Sequence, residues 1–277
     1  MNINIQQKEK AEEFQNMHHD ESFLILPNIW DAGSGRIIEK NGFKAMATTS
    51  AGIAFSNGYS DGEHFPFDLL IDSINRISTR TTLPLSVDFE RGYSESSKGI
   101  YENTKKLLLA GAIGLNIEDG LPSKRISEPN SMKEKLNVLN TLKTELDLNF
   151  LINSRTDMYW NEIGNENERL AETIDRTNQY FSWGADCVFV PGNIPFSELE
   201  ILIKEAHGPI NVLLNNELRD AQKLKNIGVK RLSLGSNLSR NNLFNLSKQS
   251  LKIKNSDFDL VLAESFSYNY LNKLFHD

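Results

Sequence analysis

The residues best equipped for chemistry stand where short apolar runs end. Val87-Asp88-Phe89-Glu90, Ile117-Glu118-Asp119 and Asn153-Ser154-Arg155-Thr156-Asp157 each lead from a hydrophobic stretch into a charged one. Side chains alternate along a strand, so Asp88 and Glu90 are expected on the same side, two residues apart. Those two carboxylates, with Glu118 from the next run, repel one another unless a cation lies between them. They can surround a hard ion such as Mg2+, or Mn2+, directly or through its retained waters. A competing role for each acid is to cap the helix that follows, where negative charge is favoured. Arg155 is the cationic counterpart. Its planar guanidinium can grip a carboxylate or phosphate with two parallel hydrogen bonds, or form a structural ion pair with the same acids.

Other motifs carry less. Gly33-Ser34-Gly35 lacks the third glycine of a dinucleotide-binding fingerprint, because position 38 is Ile, and it reads as a tight turn. His18-His19 lies in a polar segment and reads as a solvated pair. The single cysteine, Cys187, begins the apolar run Cys187-Val188-Phe189-Val190 and reads as a buried small hydrophobe. Zinc-protease, Walker A and nucleophile-elbow motifs do not occur.

The elements that must position these groups recur along the chain. Eight apolar, β-branched runs are visible: 23–29, 45–50, 83–90, 112–118, 150–155, 187–191, 210–215 and 231–235. Between them lie segments such as 99–110 and 166–183, whose spacing of apolar residues is that of amphipathic helices covering a buried sheet. Gly42, Gly111, Gly184 and Gly228 precede strands and fit left-handed helix caps. No Pro/Gly/Ser-rich linker breaks the series. The expectation is an α/β fold: one (β/α)8 TIM barrel over residues 1–277, with an N-terminal helix in 1–20 and a C-terminal helical extension over 249–277. A doubly wound open sheet uses the same units and stays open at this point. In a barrel, catalytic groups collect at the C-terminal ends of the strands, where the acids and Arg155 fall.

Composition excludes several classes. Thirty Lys plus Arg against 37 Asp plus Glu give a net charge of −7, which argues against wrapping nucleic acid or an anionic membrane. No apolar run approaches the roughly 18 residues of a membrane-spanning helix. The polar N-terminus has no signal-like apolar core, so a cytoplasmic location is expected.

At the strand ends the sequence resembles the isocitrate lyase/phosphoenolpyruvate mutase superfamily, and its phosphoenolpyruvate mutase-like branch in particular. The resemblance is carried, in order, by Pro27-Asn28-Ile29-Trp30-Asp31-Ala32-Gly33-Ser34, Thr48-Thr49-Ser50-Ala51-Gly52, Gly58-Tyr59-Ser60-Asp61-Gly62-Glu63, Val87 to Tyr93, Asn116-Ile117-Glu118-Asp119 and Ile152 to Asp157. It implies a Mg2+ enzyme that makes or breaks a C–C or C–P bond at C3 of a small 2-oxo acid or phosphonate by way of an enolate. Asp88, Glu90 and Glu118 match the metal-binding acids, mostly acting through water. Ser50, with backbone groups of Ala51 and Gly52, matches the loop that holds the substrate carboxylate and oxo group. Arg155 matches the substrate-binding arginine, and Asp61 an acid beside the reacting carbon. The family commonly forms dimers or tetramers through C-terminal helices, a role open to the tail after 249.

Two departures narrow the activity. Glu90 stands where mutases and lyases often have Asp, a longer reach. The lyase loop Lys-Arg-Cys-Gly-His is represented by Lys124-Arg125-Ile126-Ser127-Glu128, which keeps the candidate catalytic Lys124 but not the cysteine. The resemblance therefore implies a lyase or mutase, with an oxaloacetate decarboxylase-like reaction among the candidates. The rival reading is a catalytically degenerate barrel that binds a carboxylate metabolite. A Schiff-base aldolase would need a lysine on a strand end, whereas Lys124 lies in a loop.

Overall fold

A computed structural model describes residues 3–20, 23–263 and 265–276. Its centre is a parallel sheet built from β1 (Leu24–Leu26), β2 (Asn28–Ile29), β3 (Met46–Thr48), β4 (Leu85–Asp88) and β5 (Gly114–Glu118). A small antiparallel hairpin, β6 (Gly120–Leu121) and β7 (Arg125–Ile126), precedes β8 (Leu151–Arg155), β9 (Cys187–Val190), β10 (Ile210–Leu213) and β11 (Arg231–Ser233). The sheet order is β1-β11-β10-β9-β8-β5-β4-β3-β2. β1 and β2 are one barrel strand divided at Pro27, which has no N–H to donate. The first half pairs with β11 and the second with β3, so the covalent continuity of this strand closes the barrel. The open-sheet alternative is thereby excluded, and the eight expected strands are the eight staves.

Two helices lie at the ends of the barrel, α1 (Ile5–His19) and α3 (Ser50–Ser56), and others cover its outside: α2 (Ala32–Lys40), α4 (Phe67–Arg80), α5 (Ser97–Leu109), α6 (Pro129–Leu146), α7 (Glu166–Ser182), α8 (Phe196–Glu205) and α9 (Ala221–Ile227). Apolar residues at helical spacing, such as Met132, Leu136, Leu139 and Leu142 on α6, are buried against the strands. Strand residues Leu85, Val87, Leu115 and Ile117 meet them in the core. Each such side chain contributes roughly 1.5–3 kcal/mol on burial. Gly42, Gly111, Gly184 and Gly228 all have positive φ, as expected of residues that end a helix and feed a strand.

α1 is a plug at the foot of the barrel. Its Asn4 cap accepts from Gln7 N–H, and Ala11, Phe14, Gln15 and His18 are buried. The Gln7 side-chain amide donates to the carbonyls of Leu108 and Ala112, and that of Gln15 to Phe150, all at the strand-entry end. The helix expected in 1–20 is thus present, with residues 1 and 2 outside the described residues. His18 corrects the solvated-pair reading: it is fully buried, its Nδ1 bonds Phe14 O at 2.8 Å, and burial drives its pKa down to about 3. The 3.6-residue period places position 18 on the same face as Phe14 and Ala11, whereas His19 stays exposed. Gly33-Ser34-Gly35 is also corrected. It forms the first turn of α2, where Asp31 and Ser34 make a reciprocal capping box.

Beyond the barrel run α10 (Asn237–Lys254), α11 (Asp259–Ala263) and α12 (Tyr268–Phe275). The boundary expected at 249 falls inside α10, because helical propensity continues there with no glycine or proline to stop it. Positions 264 and 277 lie outside the described residues. Among the described residues no helix is long and apolar enough to cross a membrane.

Candidate active site

A cavity of about 720 Å3 opens at the C-terminal ends of the strands. Ser50, Ala51, Asp61, Asp88, Glu90, Glu118, Lys124 and Arg155 all line it, so the barrel gathers residues spread over more than a hundred positions. Gly52 does not line it: its N–H is capped by Thr49 Oγ1, and a Cβ there would lie 3.1 Å from Trp30 Cβ. Its role is close packing of α3.

Asp88 ends β4 and is held from two sides. The backbone N–H and hydroxyl of Ser50 both donate to its Oδ2, at 3.2 and 2.9 Å. Its own N–H donates to Thr48 Oγ1 at 2.9 Å. Glu90 reaches the cavity by a different route from the expected alternation. The strand stops at Asp88, and Glu90 adopts a left-handed φ of 51° in a turn with Gly92 at 102° and Tyr93 at 53°. Strand geometry no longer applies there, yet the turn returns the carboxylate to the cavity, where Tyr93 Oη donates to it at 3.0 Å.

Glu118, at the end of β5, meets Arg155 of β8 across the register Glu118↔Arg155, with Nη1 to Oε2 at 3.1 Å. Arg155 also grips Asp157 through Nε at 2.6 Å and Nη2 at 3.1 Å. Its guanidinium lies between the rings of Trp160 and Phe189, at 5.6 and 5.8 Å from the centroids. Burial opposes its charge, but Asp157 and Glu118 outweigh burial and raise its pKa above the usual value. The structural ion pair is therefore real, and it also fixes the planar group at the cavity wall.

None of the three acids caps a helix. α5 is capped by Ser96, and Glu128 precedes α6 without a side-chain bond. Burial, then the charge of Asp88 and Asp61, pushes Glu90 up to about 8. Burial likewise raises Glu118 despite Arg155, and Asp61 is raised by burial and by Asp88 while it remains open at the rim. Among the described residues no Lys or Arg makes an ion pair with Asp61, Asp88 or Glu90, and no three His, Cys, Asp or Glu side chains are grouped closely enough to ligate one ion directly. The cavity thus concentrates carboxylates that burden one another.

Lys124 sits at the tip of the β6–β7 hairpin with φ 54°, is largely exposed, and lies 3.4 Å from Glu162. Ile126 turns its side chain toward the core and does not line the cavity. The hairpin is anchored at its root. A Cβ on Gly120 would fall 2.0 Å from Asp157 Oδ2, so glycine alone fits there.

Sequence reasoning missed the groups behind the site. Asp119 is fully buried. It accepts from Asp157 N–H at 2.8 Å and from Tyr180 Oη at 2.5 Å, with Arg176 at 3.4 Å. Burial, then Asp157, raises its pKa to about 6. Lys135 Nζ donates to Glu118 O at 2.8 Å. Asn153 donates to Asn116 Oδ1 at 2.7 Å beneath the acids. The even-numbered spacing of Asn153 with Arg155 and of Asn116 with Glu118 was the available signal, since both pairs share a strand face. The contacts to α7 cross about sixty residues and left no local signal. Arg240 and Asn215 also line the cavity.

A closed βα barrel with an acid-lined mouth and an arginine on a neighbouring strand end defines a class of enzyme scaffold. The family model for phosphoenolpyruvate phosphomutase matches residues 14–254, and the chain belongs to that family. It is 33% identical to an uncharacterised protein of Mycobacterium tuberculosis H37Rv over 228 residues, covering 80% of this chain and 81% of that one. It is 28% identical to the 2-methylisocitrate lyase of Escherichia coli K12, over 61% of this chain and 57% of the lyase. The crystal structure of a candidate lyase/mutase from Burkholderia cenocepacia J2315 superposes with a TM-score of 0.91 and 28% identity, over 99% of this chain and 98% of that one.

Proposed function

We propose that the protein is a Mg2+-dependent lyase or mutase that makes or breaks a C–C or C–P bond at C3 of a small 2-oxo acid or phosphonate through an enolate. The observation that carries this reading is the set of carboxylates Asp88, Glu90 and Glu118, the last two buried, sharing one cavity with the guanidinium of Arg155. Asp88 and Glu90 are hard oxygen donors with no Lys or Arg ion pair among the described residues, and Glu118 is paired with Arg155, so a divalent ion would be held there largely through the waters it keeps. Asp88, Glu90 and Glu118 would hold Mg2+, or Mn2+, which would supply the charge that lowers the energy of an enolate.

The remaining work falls to the chain itself. Arg155, immobilised by Asp157 and the two rings, binds the substrate carboxylate with two hydrogen bonds and fixes the C3 bond relative to the π system. Ser50 and the backbone of Ala51 complete that grip. Asp61, at the rim with a raised pKa, is placed to take or return a proton at C3. Lys124, on the hairpin tip and lining the cavity, would bring a positive charge to the substrate as a catalytic candidate. Phe189, Trp160 and the hairpin exclude water from the reactive face.

The degenerate-barrel reading rests on Ile126, which leaves the hairpin without the acid that a cysteine supplies in the lyase loop. For the assembled enzyme we infer a homodimer or homotetramer, because Leu243, Phe244, Leu246 and Leu251 on α10 and Leu262 and Phe266 beyond it are exposed. The deciding experiment is turnover of a panel of 2-oxo dicarboxylates and phosphonates with Mg2+ and with excess EDTA. Metal-dependent release of product from one of them supports the enzyme. Metal and oxalate binding without turnover of any supports the degenerate barrel.

A further inference from the structure

Asp61 and Glu90 lie on separate loops, the first between α3 and α4 and the second after β4. One side chain ties those loops together, and it is neither of the two acids. Glu63 Oε1 accepts the backbone N–H of Arg91 at 3.0 Å and that of Tyr93 at 2.8 Å. Its Oε2 accepts from Arg91 Nη2 at 2.6 Å, and the same nitrogen approaches Gly62 O at 3.4 Å. Both side chains of this pair are mostly buried, 14% and 22% exposed.

The bonded segment is the turn that holds Glu90 in the left-handed region. Glu90, Gly92 and Tyr93 have φ of 51°, 102° and 53°, and on the other loop Gly62 and Glu63 have 95° and 64°. Non-glycine residues enter that region only when their surroundings hold them there. Glu63 supplies such a restraint, since it occupies two successive free N–H groups of the turn. Tyr93, fixed by that bond, in turn donates to Glu90 Oε1 at 3.0 Å. Asp61, Asp88 and Glu90 share one cavity, and the Glu63 clasp holds together the two loops that bring Asp61 and Glu90 to it.

We propose that Glu63 is a positioning residue, which sets Asp61 against the acids Asp88 and Glu90 by locking the Arg91–Tyr93 turn to the loop that carries Asp61. The inference deepens the function proposed above and rests on it for the roles of those acids. Among the described residues Glu63 makes no hydrogen bond or ion pair with a barrel strand, so its loss loosens the active-site loops while the barrel stands. Among the described residues Glu63 makes no hydrogen bond or ion pair with Arg155, so the substrate grip there is left alone.

The test compares Glu63→Ala with Glu63→Gln. Gln keeps an oxygen for the two backbone N–H groups and loses the charge; Ala loses all three bonds. In the 2-oxo acid turnover assay, Glu63→Ala should lower kcat about 100-fold with KM changed less than threefold, and Glu63→Gln should restore kcat to within about tenfold of wild type. Melting temperatures of both should stay within a few degrees of wild type. In parallel, amide hydrogen exchange of the 89–95 segment should be slow in wild type and Glu63→Gln and fast in Glu63→Ala. Equal exchange in all three, or equal loss of kcat in both variants together with a matching fall in melting temperature, overturns the proposal. If wild type turns over no 2-oxo acid, the function above fails, and exchange together with Mn2+–oxalate binding decides the clasp: weaker binding in Glu63→Ala alone, with fast exchange, upholds it, and unchanged binding overturns it.

Discussion

Arg155 lines the cavity wall at the end of β8 and Arg231 is fully buried at the start of β11, and the two are built in opposite ways. Arg155 is held by Asp157 and Glu118 between two aromatic rings, and its pKa is raised. Arg231 is fully buried, its Nε donates to Ser233 Oγ at 3.1 Å, and among the described residues its Nη1 and Nη2 have no hydrogen-bond partner. Burial lowers its pKa to about 10, with Cys187 and the more remote Asp88 as the charges that resist. The mouth therefore has carboxylates in excess of cations, and the bore beneath it has a cation without an acid. A planar cation gripped by two acids is preorganised for an anionic substrate, whereas one without an acid partner is a cost borne by the core.

The largest expected effect sharpens the first half of that contrast. Arg155→Lys preserves charge but not the fork, and kcat/KM should fall by about 100-fold or more in the turnover assay. An unchanged kcat/KM would mean that the guanidinium is only a structural ion pair. Next comes the excess of acid at the mouth. Glu90 is raised to about 8 from 4.5, so between those values the folded metal-free protein holds more protons than the unfolded chain. The stability due to the neutral carboxyl is complete below pH 4.5 and is lost as the pH rises through about 8. Melting temperature of the metal-free protein should accordingly fall from pH 5.5 to 8.5, by an amount worth on the order of a few kcal/mol. Glu90→Gln should flatten much of that slope, and a melting curve as steep as wild type would contradict the burial argument.

Arg231→Met breaks the other half. Replacing an unpaired buried cation by an apolar chain of similar volume should leave stability unchanged or raise it, by about 1–4 kcal/mol. A clear fall in melting temperature would show that the guanidinium has partners worth keeping. The smallest effect is expected at Cys187, which is buried at the foot of β9, with its thiol pushed up to about 12 by burial. Cys187→Ala should leave turnover within about twofold of wild type, because the start of a barrel strand belongs to the stability face. With Ile126 packed inward and Cys187 inert, isocitrate and 2-methylisocitrate should not be cleaved at a useful rate. A positioned acid contributes roughly 10²- to 10⁴-fold, and none stands in that place. Robust cleavage of either would overturn the alignment of the hairpin.

The comparison also explains what could be read in advance. Strand ends and glycine caps follow local periodicity, and so the eight staves and the strand-end residues Asp88, Glu118 and Arg155 were legible, whereas Ser50, Ala51 and Asp61 were reached only through the family resemblance. Glu90 was placed in the cavity for a reason that does not hold, since its left-handed φ is a property of the Glu63 clasp and not of β4. Nothing in the local sequence marks Arg231, the first residue of a short apolar run, as a buried cation. Only closure of the barrel turns that strand start into an interior position. Asp119 was hidden because Tyr180 and Arg176 reach it from α7, the helix that follows the neighbouring strand β8. His18 was misread because its environment is the barrel foot and not its polar neighbours.

The central claim is that the carboxylates of the mouth need a divalent cation in order to receive a 2-oxo acid enolate. It is tested most directly by calorimetric titration of oxalate, a mimic of the pyruvate enolate, into the protein with Mg2+ and with excess EDTA. The account predicts binding with Mg2+ or Mn2+, none in EDTA, and none to Asp88→Ala under either condition while its melting curve stays that of a folded barrel. Oxalate binding of equal strength in EDTA, or in Asp88→Ala, would contradict it.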